Sequence, residues 1–263
     1  MPDISFESIV TIMRRLRGPG GCPWDAEQTH SSLRRYAIEE CYEVIEAIDH
    51  QNDLLLAEEL GDLLLQPIFH AVIAEERGAF TIQDVMVHLH DKLIRRHPHV
   101  FGDAQQITSS DEQIVNWEAI KKQEKNEERH SLLDGIPPHL PALMRAQKMG
   151  EKAARVGFDW EHVDDVLAKV NEEVNEVKEA LASGDSDRVE AELGDCLFAL
   201  VNLARFTGHD AETALRRTMD TFYRRFNHIE QSISRRGLSL QETDLAEMER
   251  LWCEAKRQDC HTS

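Results

Sequence analysis

The chain has 263 residues, with 49 Asp and Glu against 30 Lys and Arg and a formal net charge of −19. So acidic a protein argues against duplex nucleic acid and against an anionic membrane surface, both of which reward a basic face. Hydrophobic residues at 41% are enough for a core, while 6% aromatics, 13 Gly and 8 Pro argue against a sandwich or barrel and for helices.

In chain order, residues 1–18 show no basic start followed by an apolar stretch, so no secretory leader is expected. Cys22-Pro23-Trp24-Asp25 reads as an ordered turn or local corner. Ile38, Cys41, Tyr42, Ile45 and Ile48 recur at spacings of three and four, a helical period, with Glu39, Glu43 and Glu46 on another face. Leu54 to Ala74 is long and apolar enough to suggest a membrane span, but Glu58, Glu59 and Asp62 make insertion costly. Asp53 stands where it could cap this helix, and Asp187 does so in the second half of the chain. A third helix fits Ile82 to Arg96, with Pro98 ending it, and a fourth fits Asp111 to Lys122. A polar stretch follows, then Pro137, Pro138 and Pro141, the composition of a linker. Beyond it Val170, Val174, Val177 and Leu181 repeat the helical period, and further helices fit Ala211 to Arg225 and Asp244 to Lys256. The five cysteines, Cys22, Cys41, Cys196, Cys253 and Cys260, include no CxxC pair; neither a disulfide framework nor a thiolate zinc site is indicated, and a reduced cytoplasm is expected.

The chain repeats itself. Glu39, Glu40, Glu43, Glu59 and Asp62 match Glu172, Glu173, Glu176, Glu192 and Asp195 at one constant offset without a gap. Arg95-Arg96 has a counterpart in Arg224-Arg225, and Trp117 and Lys121 have counterparts in Trp252 and Lys256. Two tandem helical-bundle domains are therefore expected, over residues 1–125 and 141–263, with residues 126–140 as linker.

Glu59 and Asp62, like Glu192 and Asp195, are three apart and share a helix face among many leucines. Unpaired carboxylates near a packed interior are costly, and a divalent cation compensates them. Glu40 and Glu43 supply a second pair from the preceding helix. Oxygen-only ligation suits Mg²⁺, Mn²⁺ or Ca²⁺ rather than zinc. The Glu-x-x-His pairs of a di-iron bundle occur at Glu27–His30 and Glu127–His130, outside the repeated helices, and are set aside. Mg²⁺ keeps positions open for phosphate oxygens, and Lys169, Arg224, Arg225 and Lys256 could bind the remaining phosphate charge, with Trp252 a surface for a base. No P-loop, dinucleotide fingerprint or nucleophile elbow is present.

The two EExxE…ExxD arrays resemble those of the MazG nucleoside triphosphate pyrophosphohydrolases, and GCPWD at Gly21, RRHPHVF at Arg95, LPALMRAQK at Leu140 and VGFDW at Val156 extend the resemblance along the whole chain. It implies an all-α NTP pyrophosphatase fold, a homodimer, Mg²⁺ with Mn²⁺ as substitute, and hydrolysis of NTPs and dNTPs to monophosphate and pyrophosphate. It further implies that Glu173, Glu176, Glu192 and Asp195 bind the metal, with Glu40, Glu43, Glu59 and Asp62 as a second set. Lys169, Glu172, Arg188, Arg224, Arg225, Trp252 and Lys256 would contact nucleotide. Glu172 is the first candidate for general base.

The copies differ. Pro67 falls five residues after Asp62, where copy two has Leu200, and a kink there would favour copy two as the main active site. Two rival readings stay open: a housecleaning enzyme for one noncanonical nucleotide, and a non-enzymatic acidic helical protein that binds divalent ions or a protein partner.

Overall fold

The computed structural model describes residues 4–102, 107–124 and 131–262, and among these the regular elements are all helical. They fall into two compact units, Met1–Glu124 and Lys125–Ser263.

Unit one begins with α1, Phe6–Arg17, opened by a capping box in which the Ser5 and Ser8 hydroxyls each accept the other's backbone N–H. A short helix, α2 (Pro23–Glu27), has Pro23 in its first position, where the missing N–H costs nothing. Next come α3 (Arg34–Asp49) and α4 (Asp53–Glu76), packed along one another across a tight turn. The cap of α4 is Asn52, whose side chain accepts from Leu55 N, and not Asp53. Asp53 instead supplies the negative charge favoured in a first turn. Pro67 does not break α4; it is exposed, where water can take the place of the missing donor. The second half of α4 carries the core: Ile68, Phe69, Val72 and Ile73 pack with Val10 and Met13 of α1, with Leu33, and with Ile82. Ile82 opens α5 (Ile82–Arg96), which is followed by α6 (Pro98–Phe101) and α7 (Ser110–Glu124). Pro98 thus ends one helix and begins a short second one.

Unit two repeats the plan. Its helices are α8 (Ala142–Ala154), α9 (Val163–Ser183), α10 (Ser186–Phe206), α11 (Ala211–Ser234) and α12 (Leu245–Thr262), with a 3₁₀ turn at Leu240–Glu242. As α1 packs on α4, so α8 packs on α10. The approach is close at Gly150, where an added Cβ would lie 2.7 Å from Asn202 Oδ1. Asn202 accepts from Arg205 Nε at 3.2 Å, and the Arg205 guanidinium is held by both oxygens of Asp159 at 2.6 and 2.9 Å. The α9–α10 turn is made by Gly184, at φ 72°, and by Asp185, which accepts from Asp187 N and Arg188 N. The cap is therefore Asp185, with Asp187 in the first turn. Ile229 and Ile233 of α11 meet Leu251 of α12, with Phe226, Met248 and Trp252 against them.

Two further differences from the sequence reading stand out. The expected helix at Ala211 runs on to Ser234, because Phe226, Ile229 and Ile233 continue its apolar face. Part of the expected linker belongs to unit two: Lys152 Nζ donates to the carbonyls of Leu132 and Asp134 at 3.0 and 2.9 Å. Among the described residues no helix is long and apolar enough to cross a membrane.

Candidate functional site

In unit two the site is built on α9 and α10. Carboxylate oxygens of Glu173, Glu192 and Asp195 all lie within 4.8 Å of one another. Glu173 is buried, Glu192 half-buried and Asp195 exposed. Glu176, one turn after Glu173, is half-buried beside them; loss of water first, then hydrogen bonding and repulsion from Glu173, push its carboxyl above the usual range. Lys169 lies one turn before Glu173. Its ammonium is 2.8 Å from Glu173 Oε1 and 2.9 Å from Glu172 Oε1, and these bonds, Glu173 first, raise its pKa. Arg188, in the first turn of α10, reaches Glu192 at 3.5 Å and Glu179 at 3.7 Å. The structure thus gathers Lys169, Glu172, Glu173, Glu176, Arg188, Glu192 and Asp195 on one helix pair.

The expectation that these acids sit in a packed interior holds only in part. Glu173 alone among them is buried, and the leucines around the pairs, Leu60 and Leu64 on α4 and Leu193 and Leu197 on α10, are exposed at 48–55%. An apolar row flanks the carboxylates without being covered by its own unit.

Unit one forms the corresponding cluster from Glu40, Glu43 and Glu59, again within 4.8 Å. Desolvation and then Asp62 raise the Glu40 carboxyl, and desolvation and then Glu43 raise that of Glu59. The difference between the copies lies in their cations. At the shared offset Tyr36 stands in the place of Lys169, and Leu55 in the place of Arg188. This substitution, rather than Pro67, is the physical ground for preferring unit two, since α4 runs unbroken through the proline.

A second group sits on α11 and α12. Arg224 Nε donates to Asp259 Oδ1 at 3.0 Å and Arg225 Nε to Asp259 Oδ2 at 2.8 Å. The Arg225 guanidinium lies 5.5 Å from the Trp252 ring centre, and Phe222 lies 5.2 Å from it on α11. Trp252 is therefore partly core and partly an accessible aromatic face. Lys256, one turn on, is exposed.

Unit one repeats this arrangement: Arg95 and Arg96 both hold Glu124, at 2.6 and 2.7 Å, and Arg96 above all draws its carboxyl down to about 2. Trp117 Nε1 donates to the Arg96 carbonyl at 3.0 Å. The side chain of Lys121 lies outside the described residues. Sequence reasoning missed Asp259 and Glu124, although they stand at the same offset as Trp252 and Trp117.

His30 is engaged elsewhere, its Nδ1 2.8 Å from His70 Nδ1 and its Nε2 2.9 Å from Arg77, while Glu127–His130 lies outside the described residues. Cys22, Cys41, Cys196 and Cys253 are free thiols.

Comparison with known proteins bears on both clusters. The sequence profile of the MazG nucleotide pyrophosphohydrolase domain matches twice, over residues 28–101 and 162–230. The chain is 50% identical to the nucleoside triphosphate pyrophosphohydrolase/pyrophosphatase MazG of Thermotoga maritima, over 97% of each chain. It is 47% identical to the nucleoside triphosphate pyrophosphohydrolase of Escherichia coli K12, over 97% of this chain and 98% of the relative. The enzyme of that name from Mycobacterium tuberculosis is 43% identical over 62% of this chain and 49% of its own. Both profile matches span the acid-bearing helix pairs: α3 and α4 in one, α9 and α10 in the other.

Proposed function

The chain belongs to the MazG family of nucleotide pyrophosphohydrolases, enzymes acting on phosphoanhydrides, and we propose that its second copy hydrolyses NTPs and dNTPs with Mg²⁺ to monophosphate and pyrophosphate. The observation that carries this reading is the convergence of Glu173, Glu192 and Asp195 beneath Lys169. A set of carboxylate oxygens fits a hard cation, and Glu173, Glu176, Glu192 and Asp195 are the residues that would hold Mg²⁺, or Mn²⁺ in its place. Bound there, the ion supplies neutralisation of triphosphate oxygens.

The chain's own groups do the rest. Lys169, Arg188, Arg224, Arg225 and Lys256 offer N–H donors to the phosphates, and Trp252 offers its face to the base. Glu172, exposed and kept beside the Lys169 ammonium, is ready to take the proton of the attacking water. Water oxygen forms a new bond to phosphorus as the bond to the departing phosphate oxygen breaks, and that proton ends on Glu172.

Glu40, Glu43, Glu59 and Asp62 would form a second metal set in copy one, without counterparts of Lys169 and Arg188. A homodimer accounts for the uncovered Leu193, Leu197 and Leu200 on α10. The free thiols accord with a cytoplasmic setting.

Incubation with mixed NTPs and Mg²⁺, followed by assay of monophosphate and pyrophosphate, tests the reading. Equal amounts of the two are expected. Free phosphate as the sole product, or no turnover, overturns it in favour of an ion-binding or partner-binding helical protein.

A further inference from the structure

The arginine pair of unit two, Arg224 exposed and Arg225 half-buried, shares one anionic partner. Both guanidiniums end on one carboxylate, that of Asp259, which offers Oδ1 to Arg224 and Oδ2 to Arg225. Asp259 shares a face of α12 with Trp252 and Lys256, at seven and three residues, and that face packs on α11. Each arginine uses its Nε on Asp259, with an Nη2 of Arg224 also 3.0 Å away. Two adjacent cations repel, and long side chains scatter over many rotamers. A single carboxylate between them removes both effects at once. Unit one has the same arrangement with Glu124 under Arg95 and Arg96, so both units carry the clamp, on Glu in one and on Asp in the other.

We propose that Asp259 is a positioning residue for the triphosphate: it holds Arg224 and Arg225 side by side, with Arg225 against Trp252, as a preformed array of N–H donors. The inference rests on the reading that these arginines contact nucleotide. Asp259 itself, a carboxylate, repels phosphate and acts only through the two guanidiniums. Its removal should therefore weaken substrate binding far more than it slows the chemical step.

The test uses the full chain with Glu40 and Glu43 changed to Gln, so that one site turns over. Asp259→Asn should raise KM for a triphosphate about tenfold, the lower end of what losing a partner that orients a ligand-holding side chain costs elsewhere, while kcat stays within about threefold. Asp259→Glu, the acid that unit one employs, should restore KM. In an Arg224→Gln/Arg225→Gln background Asp259→Asn should add nothing further. An unchanged KM in Asp259→Asn, or an effect that persists undiminished without the arginines, overturns the proposal. So does loss of helical content in Asp259→Asn, which would make the clamp a determinant of the fold. If the double arginine variant itself leaves KM unchanged, the nucleotide reading of the arginines fails; if it raises KM and Asp259→Asn does not, only the present inference fails.

Discussion

At the scale of single residues, position relative to the core decides what a substitution tests. Asp195 is exposed, so Asp195→Ala removes a carboxylate without leaving a cavity. With Glu40 and Glu43 changed to Gln, turnover should fall more than a hundredfold while circular dichroism reports unchanged helix content; activity above about a tenth of that parent would remove Asp195 from the ligand set. Glu172 makes a different prediction. Glu172→Gln keeps the shape and a hydrogen-bond acceptor toward Lys169, so KM should hold while kcat drops by about a hundredfold or more, the range of general-base contributions. A fall in kcat/KM carried wholly by KM would make Glu172 a binding group.

At the scale of helices, the repeat is the main fact, and much of it could be read in advance. Glu39-Glu40-x-x-Glu43 and Glu59-x-x-Asp62 announced the α3–α4 pair because helical period and acidic spacing coincide there. The helices α1 and α8 went unread, although Val10, Met13 and Leu16 of α1 carry the same period, because no chemistry-bearing residue drew attention to them. The caps were misplaced by one and two positions, since Asn52 and Asp53, or Asp185 and Asp187, are equally good on composition and only backbone geometry separates them. The Arg–carboxylate clamps stayed hidden for another reason: an acid at Glu124 or Asp259 is unremarkable among 49. Element boundaries also bear on experiment. A fragment starting at 141 would cut away the carbonyls of Leu132 and Asp134 that receive Lys152. Residues 131–263 should therefore retain pyrophosphate release, and should unfold at a higher temperature than residues 141–263. Equal unfolding temperatures would show that this contact adds nothing to unit two.

At the scale of the whole molecule, charge governs. A protein of net charge −19 with clustered carboxylates should repel a triphosphate. Each unit pair at about 4 Å costs roughly 4 kcal/mol at an effective dielectric of 20. Lys169 is already committed to Glu172 and Glu173, and Arg224 and Arg225 to Asp259, so the cations offset only part of this. Nucleotide and Mg²⁺ should consequently bind with positive coupling, each raising the other's affinity by one common factor. Calorimetry with a non-hydrolysable triphosphate should show little binding in EDTA and strong binding with Mg²⁺ or Mn²⁺. Equal affinity in both would mean that the acidic arrays do not share a site with phosphate.

The uncovered apolar row on α10 would, in the proposed homodimer, tie catalysis to abundance. Leu193, Leu197 and Leu200 lie on the helix that carries Glu192 and Asp195. If a second chain must cover them, rate plotted against enzyme concentration curves upward at the dilute end, and unfolding temperature climbs with protein concentration. Heredity is touched as well. A chain bearing Asp195→Ala would still present its leucines and cover those of a normal chain, so that an inactive copy of the gene would support an intact one beside it when both are scarce. Adding the inactive protein to dilute parent enzyme measures this: a parental rate that does not rise would show that each chain works alone.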